Sequence, residues 1–144
     1  MKSFEVSDES SIRALLDRLN VCHDGWVRRI CFIKDREYEE DGNISFPSEE
    51  DGGQVNCDIE MELLLNSYTG ALPRQMVVLS FKEVRFFRFF QESSFDYSEI
   101  YEVTFHQASD GTFEFSFCES AKKNIMLTLN CSKVTCKEYV EPVK

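Results

Sequence analysis

The sequence predicts a mainly β domain, with about seven or eight antiparallel strands in a curled sheet or two-layer sandwich and one N-terminal helix. Three observations carry this. Beyond residue 56, apolar and polar residues alternate with a period of two in several separate segments, as strands with one solvated face require. Thirteen phenylalanines offer bulky side chains for the space between packed layers. A helical period occurs convincingly in one place only, near residues 8–20. A chain of 144 residues fits a single domain, 1–144, since domains commonly hold about 100–200 residues.

The helix is expected over residues 8–20, "DESSIRALLDRLN", where Ile12, Leu15, Leu16 and Leu19 fall on one stripe. Ser7 or Asp8 suits its N-cap, Asp8 and Glu9 suit the positive end of its dipole, and Asn20 is the expected stop. "CHDG", Cys22 to Gly25, then reads as a connection into a strand, with Asp24 accepting a backbone hydrogen bond and Gly25 supplying an unusual backbone angle. Val27 to Ile33 is an expected central strand with Arg28 and Arg29 on opposite faces.

Residues 35–53 form an expected long hairpin-type loop. After it, "CDIEMELLL" places Cys57, Ile59, Met61, Leu63 and Leu65 inward. "MVVLSFKEVRFFRFF" is apolar on both parities and slips at Lys82-Glu83, the mark of a bulge or a tight turn between two strands. Tyr101, Val103 and Phe105 alternate next, followed by Phe113, Phe115 and Phe117, and then Ile125, Leu127, Leu129 and Cys131. Asp110-Gly111 and the stretch from Ala121 to Asn124 supply the turns.

The formal net charge of −10 is unevenly spread. Between Asp35 and Asp51 stand eight acids (Asp35, Glu37, Glu39, Glu40, Asp41, Glu49, Glu50 and Asp51) against Arg36 alone, a local charge of −7. Such density repels nucleic acid phosphates and favours a basic partner. No stretch approaches the ~18 apolar residues of a membrane span, and "MKSFEVSDES" lacks the apolar core of a secretory signal. A cytoplasmic protein is therefore expected, its six cysteines as thiols.

Candidate chemistry is sparse. Cys22, His23 and His106 would be the parts of a thiol enzyme, yet neighbouring residues of an extended chain point apart. Glu37, Glu39, Asp41, Gly42 and Ile44 match the early positions of a calcium-binding loop, but the twelfth is Ser48 where a bidentate glutamate belongs. Cys131 and Cys136 lack a second matching pair for zinc. No catalytic residue, metal or cofactor is assigned. Arginines interleaved with aromatics in "FFRFF" would suit single-stranded nucleic acid, but the acidic chain favours core or an apolar interface at Phe86, Phe87, Phe89 and Phe90.

The short amphipathic helix followed by "HDGWVRRI", "LSFKEVRFF", "IYEVTF" and "GTFEFSF" resembles the layout of a group of small bacterial domains. Some of these look like immunity proteins, which neutralise toxins delivered between competing cells. The resemblance runs from about Ile12 to Val140, and "EYEEDGNISFPSEEDGG" is a longer insertion than the layout holds. It implies a protein that acts by binding, with no catalytic residues.

The expected function is thus a non-enzymatic protein-binding domain, an immunity protein against a basic toxin. Its expected partner surface is Glu37, Tyr38, Glu39, Glu40, Asp41, Phe46, Glu49, Glu50 and Asp51. The alternatives are a β-sandwich that binds a small molecule or lipid between its layers, and a purely structural domain.

Overall fold

The computed structural model describes residues 2–6, 8–34, 37–38, 40–42, 44–45, 57–65, 75–90, 99–118 and 125–140. Helix α1 covers Glu9–Arg18, and twelve strands accompany it among the described residues. They are β1 (Lys2–Val6), β2 (Gly25–Ile33), β3 (Glu37–Tyr38), β4 (Ile44–Ser45), β5 (Cys57–Leu64), β6 (Gln75–Val84), β7 (Phe86–Phe89), β8 (Glu99–Ile100), β9 (Glu102–Gln107), β10 (Phe113–Cys118), β11 (Ile125–Cys131) and β12 (Lys133–Val140). A six-stranded sheet runs β1-β12-β6-β5-β2-β8, a four-stranded sheet runs β7-β11-β10-β9, and β3 pairs with β4. Every pairing is antiparallel.

Helix α1 starts at Asp8, whose carboxylate accepts the Ser11 amide at 2.7 Å in a reciprocal capping box. These bonds hold the Asp8 carboxyl below its usual pKa. Ile12, Leu15, Leu16 and Leu19 are all buried, as their spacing requires. The helix ends at Arg18, short of Asn20, which instead opens a tight 3-10 turn over Asn20–Cys22.

Two strands escape the sequence pattern, β1 and β12, and they pair with each other in the register Phe4↔Cys136. In β12 the inward positions are Val134, Cys136 and Glu138, so an acid interrupts the apolar series. Glu138 is buried because Arg18 of the helix grips it through two hydrogen bonds, at 2.7 and 2.9 Å. A bidentate charged pair of this kind satisfies the carboxylate that burial would otherwise penalise.

The chain changes sheets at Arg85, which lies between β6 of the larger sheet and β7 of the smaller, two residues after Glu83 takes a left-handed backbone (φ 55) inside β6. Two side chains fasten this corner. Asp58 accepts the Glu83 amide at 3.1 Å, and Asn130 accepts the amides of Arg85 and Phe86 at 3.1 and 2.8 Å. Strands that turn corners this way are how two sheets come to face each other.

The faces that meet are the expected ones. Ile59, Met61 and Leu63 of β5 and Leu79 and Phe81 of β6 are buried against Phe113, Phe115 and Phe117 of β10 and Leu127 and Leu129 of β11. Phe81 spans the layers, edge-on to Phe115 and Phe117 with ring centroids 5.4 and 6.2 Å away. One inward expectation fails: Ile125 is exposed and Met126 is buried. A bulge explains it, because Phe117 faces Leu127 while Cys118 faces Ile125, leaving Met126 as the extra residue.

Nor is β2 central. Beyond Trp26 its outer edge has no partner among the described residues, because β8 meets only Gly25 and Trp26. A register shift between Val27 and Arg29 leaves both Arg28 and Arg29 exposed, which an edge position permits. No helix among the described residues is long and apolar enough to cross a membrane.

Candidate functional site

The "CHDG" turn is built from strained backbone. Asn20, Val21, Cys22 and Asp24 all have positive φ, at 49°, 48°, 57° and 60°. A β-branched residue such as Val21 takes that conformation only when its surroundings impose it. Gly25 serves differently from the expected role: an added Cβ would lie 2.9 Å from the Cys22 carbonyl oxygen and 3.0 Å from a Leu65 methyl carbon. Close approach, rather than an unusual angle, is what requires glycine there.

His23 ties the turn to the junction between β8 and β9. Its Nδ1–H donates to the Tyr101 carbonyl at 2.6 Å, and its ring stands edge-on to Tyr101. A carbonyl can only accept, so the proton belongs on Nδ1. Nε2 then faces the Asp24 carboxylate at 3.5 Å.

Cys22 is enclosed, and burial pushes its thiol up to about 12. His106 points elsewhere, outward on β9, 3.9 Å from Glu114 of β10. The three residues of the thiol-enzyme reading are therefore not brought together. Iodoacetamide near neutral pH is expected to label the partly open Cys31 and Cys57 first. It should spare Cys22, Cys118, Cys131 and Cys136 until the protein unfolds. Rapid labelling of Cys22 in the folded protein, read by peptide mass mapping, would contradict this geometry.

The calcium-like run is a small antiparallel ribbon. Glu37 pairs with Ser45 and Tyr38 with Ile44, around a turn containing exposed Glu40 and Asp41 and a left-handed Gly42 (φ 85). A ribbon alternates its side chains to opposite faces, whereas a calcium loop must curl its carboxylates around one point. Glu39, Phe46, Glu49, Glu50 and Asp51 lie outside the described residues. Among the described residues no group of three or more histidines, cysteines or acids is placed to hold a metal.

The expected aromatic interface has company that the sequence did not announce. Phe86, Phe89 and Phe90 are 39%, 40% and 46% exposed, whereas Phe87 is half-buried against the core. Phe87 meets Phe32 of β2 edge-on at 4.7 Å, and Phe32 is itself 56% exposed. Ile33 follows Phe32, and Ile125 begins β11 beside Met126, whose carbonyl accepts the Phe90 amide at 2.8 Å. All six exposed large apolar side chains among the described residues thus gather on or beside β7 and the end of β2.

Strand alternation explains part of this arrangement. Phe87 and Phe89 sit opposite the buried Leu129 and Leu127 of β11, so both face the inter-sheet space. Since β7 is the last strand of its sheet, no further strand among the described residues closes over them. Arg88 lies on the opposite face, its guanidinium 5.1 Å above the Phe86 ring.

The far side of the sandwich is treated differently. There α1 lies against β1 and β9, and Arg13 stacks over Phe105 at 5.3 Å. An open cleft of about 790 Å³ runs between the start of α1 and the β9–β10 turn, lined by Glu9, Arg13 and His106 among others. It lies outside the layers, and its walls are mainly polar. No protein-family model, curated protein or solved structure matches the chain.

Proposed function

We propose that this chain is a non-enzymatic protein-binding domain of the immunity type, which neutralises a basic toxin domain in the cytoplasm. The observation that carries the reading is the concentration of charge. Seven of the ten net negative charges reside between Asp35 and Asp51. The described part of that segment is a ribbon whose turn exposes Glu40 and Asp41. A projecting acidic element raises the rate of encounter with a basic surface and disfavours acidic competitors, nucleic acid included. Tyr38, Phe46 and the aromatic edge at Phe86–Phe90 supply candidate apolar anchors of the kind that dominate binding energy. Six cysteines as thiols suit a reducing compartment.

The test is affinity capture from source-cell lysate at low and moderate salt, read by mass spectrometry. A single basic partner, lost as salt rises, is the expected result. Absence of a partner at both salt concentrations would overturn the reading.

A further inference from the structure

We draw no further inference here: the strongest candidate, the aromatic edge formed by Phe32 of β2 with Phe87 and Phe89 of β7 at the open side of the sandwich, is an apolar face, and nothing among the described residues shows what covers it.

Discussion

Phe81→Ala is expected to cost about 3–5 kcal/mol of folding stability, the range for removing a large buried aromatic ring. Phe81 is 1% exposed and is the side chain through which β6 reaches Phe115 and Phe117 of the opposite sheet. Alanine there leaves a void with walls from both layers. Those walls are held apart by strand pairing on either side, so collapse can fill little of it. Against a typical total of about 5–15 kcal/mol, such a loss is severe. Urea unfolding should show a much lower midpoint with an unchanged slope. Phe89→Ala is the matched control: its ring is already 40% exposed, and its loss should be much smaller. A Phe81→Ala cost no larger than that of Phe89→Ala would mean that the sheets do not meet through this ring.

The parts of the fold legible in the sequence are those where one physical rule acts alone. In β5, Ile59, Met61 and Leu63 alternate with Asp58, Glu60 and Glu62, and burial follows the alternation. The same holds for Phe113, Phe115 and Phe117. The slip at Lys82-Glu83 is legible because apolar residues change parity there; the structure places a left-handed Glu83 at that point and changes sheet two residues later, at Arg85.

What the sequence hid lies where a tertiary partner replaces the pattern. In β12, Glu138 occupies an inward position, where Arg18, 120 residues away, grips its carboxylate. In β11, a bulge exchanges the expected Ile125 for Met126. Phe32 and Ile33 look like core when read along β2, since the openness of the strand's outer edge there is set by its tertiary neighbours. A run of two apolar residues ending at a charged segment, "FIKDRE", is the one local signal that could have raised the question.

The second large effect concerns association rather than stability. Replacing Glu39, Glu40, Glu49 and Glu50 together by lysine adds two positive charges per site, which takes the net charge from −10 to −2. The local charge between Asp35 and Asp51 reverses sign, from −7 to +1. Electrostatic steering accelerates protein association by about 10- to 1000-fold, and its removal acts chiefly on the association rate. The variant is therefore expected to bind a basic partner at least ten-fold more slowly.

The measurement that bears most directly on the acidic segment as a steering surface is the association rate constant against ionic strength. It is made by stopped flow for the wild-type and four-lysine proteins with the captured partner. The wild-type rate should start high and fall steeply as salt shortens the screening length to about 8 Å near physiological ionic strength. The variant should start low and stay nearly flat, the two curves converging at high salt. Equal rates for the two proteins at low salt would contradict the account.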